Sequence, residues 1–84
     1  ENGQLKVKCN YNKGKRDGIY RYWYDNGQIR QEKNYLNDKG EGIQREWYEN
    51  GQLRKEYNQK NGNWVGYSRH WDENGNLILE RFYD

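Results

Sequence analysis

The strongest constraint on this chain is a short turn signal that returns at a fixed interval. An Asn-Gly pair, preceded by an acidic residue and followed by a polar and an aliphatic one, occurs as Glu1-Asn2-Gly3-Gln4-Leu5, Asp25-Asn26-Gly27-Gln28-Ile29, Glu49-Asn50-Gly51-Gln52-Leu53 and Glu73-Asn74-Gly75-Asn76-Leu77. The spacing is 24 residues each time. Asn and Gly both tolerate the positive φ of a tight hairpin, so each occurrence is expected to join two antiparallel strands. A self-similar period of this length predicts stacked equivalent units and excludes an irregular globule.

Between the turns the segments alternate and are rich in aromatics, as in Ile19-Tyr20-Arg21-Tyr22-Trp23-Tyr24, which predicts strands. The first unit reads as a strand from Gln4 to Tyr11, a polar loop from Asn12 to Asp17 and a strand from Gly18 to Tyr24. The second reads as Ile29 to Tyr35, a loop through Asn37–Glu41, and Gly42 to Tyr48. The third reads as Leu53 to Gln59, a loop from Lys60 to Val65, and Gly66 to Asp72, and a last strand covers Leu77 to Tyr83. The expected fold is all-β: a single-layer antiparallel β-meander of 24-residue hairpin repeats, about seven strands, elongated and curved. Residues 1–84 form one module, with repeats at 1–24, 25–48 and 49–72 and a half repeat at 73–84. Because the chain begins inside a turn motif, it reads as a fragment of a longer array.

Composition narrows the class. Only 31% of the 84 residues are hydrophobic while 17% are aromatic, so Trp and Tyr must supply most of the burial. The mean hydropathy of −1.71 alone would suit disorder, but the aromatics and the regular turns predict a folded chain. No apolar run approaches a membrane span. The single cysteine, Cys9, excludes an intrachain disulfide and a multi-cysteine metal site, and reads as a small strand residue. A net charge of +2 is too small to imply nucleic acid. The positive residues Lys13, Lys15 and Arg16 cluster in the first loop and form a candidate basic patch.

Aligning the units exposes columns: aliphatic at Leu5, Ile29, Leu53 and Leu77; tryptophan at Trp23, Trp47 and Trp71; arginine at Arg21, Arg45 and Arg69; glutamate at Glu32, Glu56 and Glu80; glycine at Gly18, Gly42 and Gly66, which are expected to open the second strand of each unit. Two registers compete. A two-residue turn at Asn26-Gly27 sets Arg21 opposite Glu32. A three-residue turn, with Asp25-Asn26 in a type I turn and Gly27 as a left-handed bulge, sets Trp23 opposite Ile29. The second gathers Ile19, Trp23, Ile29, Tyr35, Trp47, Leu53, Trp71 and Leu77 on one face and leaves Arg30, Glu32, Asn34, Arg54, Glu56 and Glu80 on the other. Burying a large side chain is worth roughly 1.5–3 kcal/mol and an exposed cross-strand ion pair about 0.2–1 kcal/mol, so the bulged register is expected.

The order Asn-Gly-Gln-Leu, strand, a loop such as Tyr11-Asn12-Lys13-Gly14-Lys15-Arg16-Asp17-Gly18, and an aromatic strand back to an acidic residue and Asn-Gly resembles the bacterial variant of the MORN repeat over essentially all 84 residues. That resemblance implies an antiparallel meander used for scaffolding, self-association or membrane proximity, and some bacterial proteins of this kind are labelled antitoxin or immunity components. The chain lacks the usual second-strand Gly pair, and Asn63-Trp64-Val65 replaces the charged stretch of the third loop. Tyr22-Trp23-Tyr24-Asp25-Asn26-Gly27 is also similar to the aromatic hairpins of choline- or glucan-binding cell-wall repeats, though those units are shorter.

For chemistry the sequence offers little. His70 is the only histidine and Ser68 the only serine, so no Ser/His, Cys/His or metal-ligand spacing exists. Successive members of the glutamate column, two strands apart, should stand about 9–10 Å from each other, a spacing that suits either inverting glycosidase chemistry or a solvated face with cross-strand partners. No enzyme activity, cofactor or metal is expected. The candidate binding residues are Trp23, Trp47, Trp71, Tyr22, Tyr48 and Trp64, the last isolated in a loop. The tryptophan column is either the core of a thin sheet or an exposed platform for a partner. The tyrosines Tyr20, Tyr22 and Tyr24 become Gln44, Glu46 and Tyr48, then Ser68, His70 and Asp72, so that face varies between repeats. The expected role is protein–protein interaction in a bacterial repeat protein, cytoplasmic or surface-exposed. The alternative is a cell-wall glycan or membrane-surface module using the aromatic face and the basic loop. Unpaired outer strands predict self-association through the sheet edges.

Overall fold

The computed structural model describes residues 7–83, with side chains from Asn10 to Tyr83. The expectations for Leu5, for the Asn2-Gly3 turn, for the start of the first strand and for the Cys9 side chain lie outside the described residues. Eight strands form one open antiparallel sheet: β1 (Val7–Asn12), β2 (Lys15–Trp23), β3 (Ile29–Leu36), β4 (Lys39–Gly40), β5 (Gly42–Trp47), β6 (Leu53–Lys60), β7 (Asn63–Trp71) and β8 (Leu77–Tyr83). The sheet runs in chain order, with β4 paired to β3 beside β5. Its principal extents are 43 × 40 × 9 Å, the dimensions of a single layer.

The expected polar loops shrink to two residues. Lys13 and Gly14 have φ of 53° and 81°, Asn37 and Asp38 of 51° and 71°, and Asn61 and Gly62 of 53° and 86°, the double positive φ of a type I′ turn. The flanking residues pair directly, as Asn12 with Lys15, Leu36 with Lys39 and Lys60 with Asn63. Lys15 and Arg16 therefore belong to a strand, and so does Trp64. Gly18 and Gly66 lie inside β2 and β7 and do not open them, whereas Gly42 opens β5 as expected. Gly18, Gly42 and Gly66 keep positive φ where the pairing with the preceding repeat slips, and at Glu41 the slip splits one arm into β4 and β5. That split raises the count from seven strands to eight.

At the Asn-Gly turns the three-residue form is present. The Gly27 N–H donates to the Tyr24 carbonyl at 3.0 Å and the Tyr24 N–H to the Gln28 carbonyl at 2.8 Å, and Gly27 has φ of 89°. Trp23 pairs with Ile29 as expected, yet Arg21 pairs with Glu32 as in the competing register. Both hold because the register shifts between Tyr22 and Trp23, leaving Arg30 as an extra residue in β3. The same shift makes Arg54 and Ile78 extra in the next two hairpins. One additional residue resets the side-chain alternation. The expected faces are corrected accordingly: Glu32, Asn34, Glu56 and Glu80 join the tryptophans, whereas Tyr35 leaves them.

Successive hairpins are tied by contacts that recur about one repeat apart. The Tyr24 hydroxyl donates to the Trp47 carbonyl and the Tyr48 hydroxyl to the Trp71 carbonyl, each at 2.8 Å. The Asn26 and Asn50 side-chain amides donate to the Glu49 and Glu73 carbonyls at 3.2 and 3.0 Å. Where β3 and β5 separate, the fully buried Gln44 side chain mends the ladder. It accepts the Asn34 N–H at 2.5 Å and donates to the Asn34 carbonyl at 2.8 Å.

Two substitutions report on these devices in urea unfolding. Gly51→Ala forces a Cβ into a φ of 91° and is expected to cost about 1–2 kcal/mol. Gln44→Leu leaves the Asn34 N–H without that partner and is expected to cost about 1–3 kcal/mol. A midpoint unchanged by both would show that neither device supports the sheet.

Candidate functional site

Cα partners share a face, so the pairing assigns every side chain. One face, here the ladder face, carries Arg21, Glu32, Arg45, Glu56, Arg69 and Glu80 side by side across six strands. Within each hairpin the arginine Nε donates to the glutamate: 2.9 Å for Arg21–Glu32, 2.8 Å for Arg45–Glu56 and 2.6 Å for Arg69–Glu80. Next to this row run Trp23, Ile29, Trp47, Leu53, Trp71 and Leu77. All three tryptophans are half-buried, with no second layer above them.

Tyr22, Tyr48 and Trp64 stand on the opposite face, so the six candidate residues do not form one site. This tyrosine face holds two aromatic groups. Around β2 and β3, the Tyr20 ring lies 6.2 Å from Tyr22 and 6.1 Å from Tyr35. Arg30 lies over Tyr22 and Tyr24 at 5.3 and 5.5 Å, and Arg16 over Tyr35 at 4.2 Å, distances suited to cation–π attraction. Around β6 to β8, Tyr57 stacks on Trp64 at 4.1 Å with planes 9° apart, and Trp64 meets Tyr83 edge-on at 5.5 Å. Lys55 Nζ lies over both Tyr57 and Trp64.

Sequence reasoning passed over Tyr57 and Tyr83. Tyr57 is the one buried hydrophobic residue among those described, but its column, with Cys9, Lys33 and Arg81, does not repeat. A usable signal lay in another pair of columns. Arg16, Gly40 and Trp64 stand 24 apart, as do Tyr35, Gln59 and Tyr83, and the two columns meet: Arg16 on Tyr35, Trp64 on Tyr83, and Gln59 filling the space a Cβ at Gly40 would take. Size changes in one column are matched in the other.

The candidate basic patch is partly committed. Arg16 Nε pairs with Asp38 at 2.6 Å, and that hydrogen bond holds the Asp38 carboxyl below its ordinary range. Lys13 stands in the turn and Lys15 is exposed on β2. Asp72 also titrates low, because it accepts the Asn76 and Asn74 N–H groups within its own turn. The Glu32, Glu56 and Glu80 carboxylates are engaged by arginines. His70, opposite Lys55, is held below its usual value first by burial and then by Lys55 and Arg54. Among the described residues no three His, Cys, Asp or Glu side chains gather to hold a metal. No helix there is long and apolar enough to cross a membrane, which does not bear on β-barrels.

Burial pushes the Tyr57 phenol up to about 12, aided by Glu46. The unfolded chain therefore releases this proton near pH 10 while the folded one keeps it, so Tyr57 favours the fold in full below pH 10 and this contribution is lost as pH rises toward 12. Tyr57→Phe is expected to flatten that alkaline limb of stability, read by denaturant midpoint against pH; an unaltered slope would overturn the assignment.

A profile described as "MORN repeat variant" matches residues 1–13, 16–37, 40–61 and 64–84. The second and third matches each run from one two-residue turn region to the next, and the last three matches each span one Asn-Gly hairpin. No curated protein and no solved structure matches the chain. Matched along nearly its whole length, the chain belongs to the MORN repeat variant family, a non-catalytic repeat family whose members are generally interaction modules.

Proposed function

We propose that the chain is a non-enzymatic module that binds a protein partner through its tyrosine face, as a scaffold or antitoxin-like component of a bacterial protein. The carrying observation is the split between the two faces. The contacts that build the sheet recur from repeat to repeat: the tyrosine tie to the next tryptophan, the asparagine tie to the next turn, and the arginine–glutamate pair. The tyrosine face does not recur. Its cross-strand positions read Tyr20, Gln44 and Ser68, then Tyr22, Glu46 and His70. A repeated scaffold that varies on one face offers a surface that can be specific, and aromatic rings held by cations give large contact area at low entropic cost.

The commitment of Arg16 to Asp38 and Tyr35 leaves Lys13 and Lys15 as the exposed charges of the first turn, which is little for a lipid surface. Partner binding is tested by recovering proteins on the immobilised chain and measuring each by calorimetry. Tyr22→Ala with Trp64→Ala is expected to weaken a true partner about tenfold or more, whereas the ladder-face change Ile43→Lys leaves it unaltered. Affinity insensitive to the tyrosine-face pair, or binding only to anionic vesicles or cell-wall glycan in sedimentation, would overturn this reading.

A further inference from the structure

The ladder face is built to fit a reversed copy of itself. Its charged row reads Arg21, Glu32, Arg45, Glu56, Arg69, Glu80, starting with a cation and ending with an anion. Its apolar row reads Trp23, Ile29, Trp47, Leu53, Trp71, Leu77, starting with a large ring and ending with a smaller aliphatic. Both rows invert on reversal. A half-turn about an axis parallel to the strands, midway between β5 and β6, keeps depth along each strand and exchanges β5 with β6, β3 with β7 and β2 with β8. Arg45 then faces Glu56 of the second copy, Glu32 faces Arg69, and Arg21 faces Glu80. At the next depth Trp47 faces Leu53, Ile29 faces Trp71, and Trp23 faces Leu77, so no two indoles collide.

Shape agrees at the centre. A depression of about 310 Å³ opens over Asn58, bordered by Ile43, Glu56, Tyr67 and Arg69. The same operation brings Ile43 of the second copy, exposed at 42%, over Asn58 and into that depression. At the same depth Phe82, exposed at 62%, falls over Ile19. Leu36, Ile43, Tyr67, Leu77 and Phe82, five of the exposed large hydrophobic residues, lie on this face. A plate of 43 × 40 Å exceeds the ~800 Å² per partner of a standard interface.

We infer that two copies of this chain pack ladder face to ladder face as a two-fold sandwich, with the tyrosine faces outward. Face-to-face sheets pack about 10 Å apart with strands nearly aligned, the arrangement an axis along the strands produces. Each charge keeps its neighbour within the sheet and meets an opposite charge across the interface, so none is left buried and unpaired. The occupant is thereby a second copy, not an arbitrary apolar surface.

Pair swaps test it while preserving the ion pair within each hairpin, though each sets like charges together across the Glu32–Arg45 or the Glu56–Arg69 seam, which makes recovery in a mixture of the two swaps the deciding control. R21E/E32R places like charges opposite Glu80 and Arg69, and R69E/E80R does the same from the other end. By sedimentation equilibrium the unaltered 84-residue chain is expected to dimerise, and each swap alone to weaken dimerisation roughly 100-fold. An equimolar mixture of the two swaps is expected to recover a heterodimer, because their rows are again opposite at every position. Ile43→Lys, at an exposed site, reads the same loss without touching the ladder. A wild-type chain that stays monomeric, swaps that dimerise undiminished as edge pairing would allow, or a mixture that stays monomeric would each overturn the inference.

Discussion

One extra residue per hairpin determines what this sheet presents on its two sides. Were Arg30, Arg54 and Ile78 paired as ordinary strand residues and not bulged, the turn that sets Trp23 opposite Ile29 would carry Glu32 to the face away from Arg21. The bulge reconciles two demands that a regular hairpin sets against each other: an apolar pair beside the turn and an ion pair two residues further along β2. The individual ion pairs are partly exposed and contribute about 0.2–1 kcal/mol each. Their larger effect is on register, since a slip by one residue would set Arg21 beside Gln31 and Trp23 beside Gln28 in one direction, or Arg21 beside Lys33 and Trp23 beside Arg30 in the other.

A single layer has no interior, and among the described residues only Tyr57, Gln44, Ser68 and Gly40 are buried. Stability therefore has to come from each hairpin's contact with the next, as in other repeat architectures. The Tyr24 and Tyr48 hydroxyls and the Asn26 and Asn50 amides bond across that junction. At the corresponding position of the third repeat Asp72 replaces tyrosine and closes its own turn instead. The β8 edge accordingly carries exposed Leu77, Ile78, Leu79 and Phe82 without that tie.

The period, the meander and the three-residue turn were legible in the sequence because they depend on local chemistry at Asn-Gly and on spacing. The extra residue was not, because Arg30 and Arg54 carry no conformational signature; a bulge at an arginine has no preference comparable to that of glycine. The loops were read too long for a related reason: charged runs such as Lys13-Gly14-Lys15-Arg16 look like loop by polarity, but an edge-free β-arm in a one-layer sheet has solvent on both faces and tolerates charge throughout. Trp64 was placed in a loop by the same reasoning, and its partner Tyr57 escaped notice because internal repetition identifies shared scaffold and is blind to a contact made in one repeat only.

Reversal symmetry follows from the hairpin itself. Any whole number of hairpins, each contributing arginine then glutamate and tryptophan then aliphatic, yields rows that begin with one kind and end with the other. Self-complementarity of the ladder face is thus a property of the unit and not of this number of units. Repetition alone would leave the alignment of two copies ambiguous by whole repeats. The residues that break the columns remove the ambiguity: Phe82 stands where the other repeats have Asn10, Asn34 and Asn58, and Tyr67 where they have Ile19 and Ile43. In the unshifted alignment Phe82 covers Ile19, whereas a shift by one repeat either sends it past the partner sheet or sets it over Ile43 with β2 and β3 left uncovered, so only the unshifted alignment covers both Phe82 and all six strands of the charged row.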